Sequence, residues 1–90
     1  MELTFNKEGN RYVAEFQTTS DFALHIEKPD GSIGIFSKSV EGGKYDYVRS
    51  LNVSQYDKVI DVDVVGVVYP KWIKVESSVM PTMAVVTFAE

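Results

Sequence analysis

Arg11-Tyr12-Val13-Ala14-Glu15-Phe16-Gln17 and, a few residues on, Asp21-Phe22-Ala23-Leu24-His25-Ile26-Glu27 decide the fold class of this chain. In the first stretch Tyr12, Ala14 and Phe16 alternate with Arg11, Val13, Glu15 and Gln17; in the second Phe22, Leu24 and Ile26 alternate with Asp21, Ala23, His25 and Glu27. Side chains of a strand point to opposite faces in turn, so the pattern marks strands with one buried face and one wet face.

The same reading extends in both directions. Leu3 and Phe5 oppose Glu2, Thr4 and Asn6 in a first strand, closed by a hairpin turn at Lys7-Glu8-Gly9-Asn10. Pro29-Asp30-Gly31 is a strong turn signal, since proline presets φ and glycine tolerates the left-handed region. Strand four covers 32–39 with Ile33 and Ile35 inward, and Gly34 marks a bulge or a close approach. After Glu41-Gly42-Gly43-Lys44, strand five covers 45–51 with Tyr45, Tyr47, Arg49 and Leu51 on one side. Residues 52–57 show no period and read as a loop or a single helical turn. The longest strand candidate, 58–69, puts Asp61 and Asp63 on one face before Val65, Val67 and Tyr69 replace them, and Pro70 ends it. Strands over 71–77 and 83–89 complete the chain.

About seven or eight short strands at a spacing of about 8–12 residues define an all-β chain, expected as a small antiparallel β-sandwich or a jelly-roll-like barrel. Ninety residues suit one domain, 1–90, with a single modest core. Valine occurs 14 times and cysteine not at all, so β-branched burial supplies the stability, without disulfides or thiolate metal sites.

Charge and composition narrow the function. The net charge is −4, and the nine basic residues are scattered, which speaks against nucleic acid. Met1 to Phe5 lacks the basic and apolar regions of a secretory leader. The apolar run Val64 to Tyr69 falls far short of the roughly 20 residues that span a bilayer. A soluble protein without a membrane partner, made in the cytoplasm and able to enter a particle, is therefore expected.

Catalytic patterns are sparse. His25 beside Glu27 reads as a surface ion pair, since no nucleophile elbow or Ser-x-x-Lys accompanies it. Asp61 and Asp63 read as a solvated face that discourages edge pairing, because calcium needs six to eight oxygens that a straight strand supplies poorly. Gly42-Gly43-Lys44 is too short for a phosphate loop, and Tyr45 follows where Ser or Thr is needed. No cofactor is expected.

Binding features are clearer. In Lys71-Trp72-Ile73-Lys74-Val75-Glu76, Ile73 and Val75 share one face and leave Trp72 with Lys74 and Glu76 on the wetter one. An amphipathic ring on a polar face is a common anchor of protein interfaces and sugar platforms; the other reading, slightly favoured by the residues alone, is that Pro70 re-aims the start of the strand and Trp72 caps the edge of the core. Tyr45, Tyr47 and Tyr69 are candidates to extend it. The apolar run Met83 to Ala89, with Val85, Val86 and Phe88, would recruit another strand if exposed at an edge; otherwise it is central in the sheet.

Three functions are compatible with these residues. A non-catalytic structural or assembly module, of the style of virion decoration, fibre or tail components, would bind protein subunits, its own or those of a larger assembly. A carbohydrate-binding module would use the aromatic platform at Trp72. An enzyme would need carboxylates such as Asp61, Asp63 and Glu27. The first reading fits best.

Overall fold

A computed structural model of the protein describes residues 1–27, 31–39, 42–53, 59–64 and 71–89, and the side chains of these except at 47–53. The described residues form eight strands and no helix: β1 (Asn6–Glu8), β2 (Arg11–Thr18), β3 (Phe22–Glu27), β4 (Gly31–Lys38), β5 (Asp46–Val53), β6 (Val59–Val64), β7 (Lys71–Ser77) and β8 (Met83–Phe88). They make two antiparallel sheets, β1-β2-β7-β4-β5 and β6-β3-β8, packed as a small sandwich. Among these residues no helix is long and apolar enough to cross a membrane.

The chain is one long hairpin rolled up. Its tip is the β4–β5 pair; behind it β3 pairs with β6 and β2 with β7. At the open end the N-terminal segment lies along β8, with Glu2 opposite Val85. Rolling then joins β4 to β7 and β3 to β8. The resulting order, N-terminal segment-β8-β3-β6 facing β2-β7-β4-β5, is the wiring of a jelly roll.

Alternation fills the space between the sheets. Ala14, Ile33, Ile35, Ile73 and Val75 from the larger sheet meet Phe22, Leu24, Ile26, Val62, Ala84 and Val86 from the smaller in one cluster. Each fully buried aliphatic side chain contributes about 1.5–3 kcal/mol from removal of apolar surface from water. Two buried hydroxyls finish strands β2 and β7 in the same way. Thr18 Oγ1 donates to the Ser20 carbonyl at 2.6 Å and accepts from its N–H at 3.1 Å. Ser77 Oγ does the same to Val79, at 2.6 and 3.4 Å. These short-range bonds satisfy backbone groups where the ladder stops.

The structure corrects several expectations. The first strand is split: Met1 and Leu3 bond to β8, through Met1 N to Val86 O at 2.8 Å and Leu3 N to Ala84 O at 2.9 Å, and Asn6–Glu8 then crosses to β2. Phe5, 7% exposed, plugs the core at the crossing. The hairpin is the two-residue Gly9-Asn10, with positive φ at Gly9 alone, as a II′ turn requires. The bulge lies between Ile35 and Phe36, where β5 skips Val48, and it breaks the strict alternation expected over 45–51. Asn52 and Val53 belong to β5 rather than to a loop or a helical turn. Pro29 and Asp30 of the expected turn, Lys28 before it, Lys58 and Val65 to Tyr69 of the longest strand candidate, and Pro70 after it lie outside the described residues.

Candidate functional site

Strand β7 runs through the middle of the larger sheet, and its alternation sends Ile73, Val75 and Ser77 inward and Trp72, Lys74 and Glu76 outward. The ladders place neighbours on both sides. Trp72 lies between Gln17 of β2 and Lys38 of β4, Lys74 between Glu15 and Phe36, and Glu76 between Val13 and Gly34. Trp72 and Lys74 are half-buried on this outer face. Val13 is 5% exposed although it points outward, because Asn6 of β1 and Glu76 of β7 flank it.

Aromatic rings and lysines interleave across this face. The Phe36 ring lies over Gly34, where an added Cβ would come within 3.0 Å of it. Lys74 Nζ stands 4.8 Å from the Phe36 centroid and 4.8 Å from that of Tyr45, while Lys38 Nζ is 4.5 Å from Tyr45. Each such contact is worth about 0.5–1 kcal/mol at an exposed site. Tyr45 precedes β5, yet its hydroxyl donates to Glu15 Oε2 on β2 at 2.8 Å. The side chain therefore reaches over β4 and β7. Burial, reinforced by the hydrogen bond to Glu15 and that carboxylate's charge, pushes the Tyr45 hydroxyl above its usual range. The lysines would favour the phenolate, but they stand over the ring rather than at the oxygen.

The outer face of the smaller sheet has different chemistry. Its ladders set Val59, Glu27 and Met83 in one row, Asp61, His25 and Val85 in the next, and Asp63, Ala23 and Thr87 in the third. His25 Nδ1 is 2.6 Å from Asp61 Oδ1, and Nε2 is 3.6 Å from Glu27 Oε2. The hydrogen bond to Asp61 is the main cause that raises the His25 pKa; desolvation opposes it, and the Asp61 charge and Glu27 add to it. Among the described residues no group of three or more His, Asp or Glu side chains is arranged to hold a metal ion.

Of the residues singled out from the sequence, Trp72, Lys74 and Tyr45 come together on the larger sheet. Tyr47 pairs through its backbone with Phe36 on the same sheet, and Tyr69 lies outside the described residues. Val85, Val86 and Phe88 belong to the other sheet. Val86 is 0% exposed and exchanges hydrogen bonds with Met1, so it is core and not an interface side chain. Strand β8 is not an open edge along Ala84–Val86: β3 flanks it on one side and the N-terminal segment on the other. Phe88 points inward, with its ring 6.2 Å from Phe16 in an edge-on contact. Sequence reasoning missed Phe36, Lys38 and Glu15. The signal for Phe36 was present, since Ile33 and Ile35 inward leave an aromatic ring on the wet side.

Fold and surface thus define a two-sheet β-sandwich with an aromatic–lysine platform on one side and a carboxylate face on the other. No protein-family model matches the chain, and searches of curated proteins and of solved structures find no match to it.

Proposed function

We propose that the protein is a non-catalytic assembly module that makes protein–protein contacts through the outer face of its larger sheet, with Trp72 as the anchor. One observation carries this reading. The middle of a sheet face turned to water holds Trp72, Phe36 and Tyr45 interleaved with lysines, where a solvated sheet ordinarily presents polar side chains. Aromatic rings at the centre with charged groups around them are the composition of interface cores and rims. Jelly rolls serve in both capsid and lectin domains, so the fold alone favours neither assembly nor sugar binding. Incorporation into a virion-type particle, as a decoration, fibre or tail component, is one setting that suits such a module.

The lone tryptophan gives a direct test. Light scattering over a concentration series, for wild type and Trp72→Ala, should show association that is lost in the variant while its melting temperature changes little. Association that persists undiminished in Trp72→Ala would overturn the reading. Saturable quenching of Trp72 by a glycan, with the mass unchanged, would make the face a carbohydrate platform instead.

A further inference from the structure

A sheet edge offers unpaired N–H and C=O groups to any strand that fits, and proteins guard their edges by shortness, bulges, cover or charge. Among the described residues the larger sheet ends in β1, which is three residues long, and in β5, whose register shifts at Val48. In the smaller sheet the N-terminal segment covers β8 along Ala84–Val86. Strand β6 has none of these guards. Its six residues, Val59–Val64, pair in unbroken register with β3 on one side and with no described strand on the other.

Charge is what guards this edge. Asp61 and Asp63 stand exposed on the outward face of β6. Ile60 and Val64 point inward yet are only partly buried, so apolar surface runs out to the edge beneath the carboxylates. Glu2 and Glu27 share the outer face with the two aspartates, and Asp21 lines a shallow cavity with Asp63. His25 is the only basic side chain among the described residues of these strands, so the face stays acidic even when His25 is protonated. Lys28 and Lys58 lie outside the described residues.

We propose that β6 accepts an added strand from a different protein, one whose side chains alternate between apolar and basic. The backbone of that strand extends the ladder, as in other cases of strand addition. Its apolar residues lie beside Ile60, Val62 and Val64, and its Lys or Arg residues lie beside Asp61 and Asp63. Opposite charges facing each other across adjacent strands attract, and like charges repel. The same rule selects against a second copy of this chain. In the two registers that overlap most, antiparallel pairing of β6 with itself sets Asp61 against its own counterpart or against Asp63. This surface lies on the sheet opposite Trp72 and acts independently of it.

A synthetic peptide in which valine and lysine alternate is the probe. One control has the same composition with its lysines in a single block; the other alternates valine and glutamate. Anisotropy of the labelled peptides reads binding, and amide hydrogen exchange followed by NMR reads its place. The alternating lysine peptide should bind and slow exchange within Val59–Val64. The blocked peptide should bind at least about tenfold more weakly, since only alternation sets successive lysines on one face. The glutamate peptide should not bind. Asp61→Asn/Asp63→Asn should weaken binding about tenfold through the loss of two cross-strand charge pairs, with circular dichroism and melting to check its fold. Asp63→Asn alone, which leaves the His25–Asp61 contact intact, should show part of that loss.

Absence of binding by the alternating lysine peptide overturns the proposal, as does equal binding by the blocked peptide. So does protection that appears in other strands and not in β6, or affinity undiminished in Asp61→Asn/Asp63→Asn. Trp72→Ala should bind the peptide as the wild type does. Loss of binding in that variant would put the peptide on the aromatic face and overturn the β6 site, while leaving the protein-contact reading in place.

Discussion

The outer faces of the two sheets are built by the same alternation and differ in what the alternation delivers to water. On the larger sheet, Trp72, Lys74, Phe36, Lys38 and Tyr45 pack ring against ammonium and are partly sheltered. On the smaller sheet, Asp61 and Asp63 stand exposed, and the interactions are ionic. The lesson is that a strand's outward residues acquire meaning from their neighbours in register. Lys74 becomes part of a platform because Phe36 and Glu15 sit on either side of it.

Both faces hang on the one core between them, so the largest expected effect comes from there. Ile73 is 1% exposed and adjoins Trp72 in β7. Ile73→Ala should cost about 2–5 kcal/mol through lost burial and a residual cavity. Urea unfolding should show that loss, and both faces should melt in one transition; separate transitions would show that the sheets are not energetically coupled.

A smaller loss should follow from Ser77→Ala, which leaves the Val79 N–H and carbonyl without their side-chain partner beside the end of β7. About 1–3 kcal/mol is expected for groups deprived of a bond in a sheltered site. A measured loss near zero would mean that water replaces the hydroxyl there.

Tyr45→Phe sharpens the comparison on the platform side. It keeps the ring under Lys38 and Lys74 and removes the hydrogen bond to Glu15, for an expected loss of about 0.5–1.5 kcal/mol. Ultraviolet difference titration of the wild type should show Tyr45 ionising well above the usual 10.0. The neutral phenol is the form that the fold favours, so its contribution is present below pH 10 and is lost as pH rises through the folded pKa. If all five tyrosines titrate together near 10, the sheltered position of Tyr45 and its Glu15 contact do not persist in solution.

The smallest effect is expected on the carboxylate side. His25 has a folded pKa raised above 6.5, so its pairing with Asp61 and Glu27 stabilises the fold fully below pH 6.5, and the gain fades as pH rises through the folded pKa. The pair is solvent-exposed, and such pairs contribute little. NMR titration of His25 should place its midpoint above 6.5, and Asp61→Asn should bring it down; a midpoint unmoved by Asp61→Asn would show that the 2.6 Å contact is not the cause.

Much of this was legible from residue types alone. The limits of β2, β3, β7 and β8 follow from period-2 alternation to within a residue or two, because each inward residue needs burial on one side. The same rule put Trp72 and Lys74 on one outward face. It failed at the chain start, where a single apparent strand is shared between two sheets, and at β5, where the bulge at Val48 shifts the register. For Val86 residue types left two outcomes open, because β propensity fits an open edge and a buried strand equally well, and the pairing with β3 and the N-terminal segment decided for the second.

Alternation, turn residues and the shortage of polar groups on alternate positions determined by themselves that this protein is all-β, where most strands run and which side of each faces the core. Those are local consequences of backbone geometry and hydrophobicity. The tertiary structure alone decided that Met1 lies beside Val86, that Tyr45 reaches Glu15 across two strands, and that Glu2, Glu27, Asp61 and Asp63 share a face. Each of these depends on which strands pair when the hairpin rolls up, a choice made by contacts between residues distant in sequence.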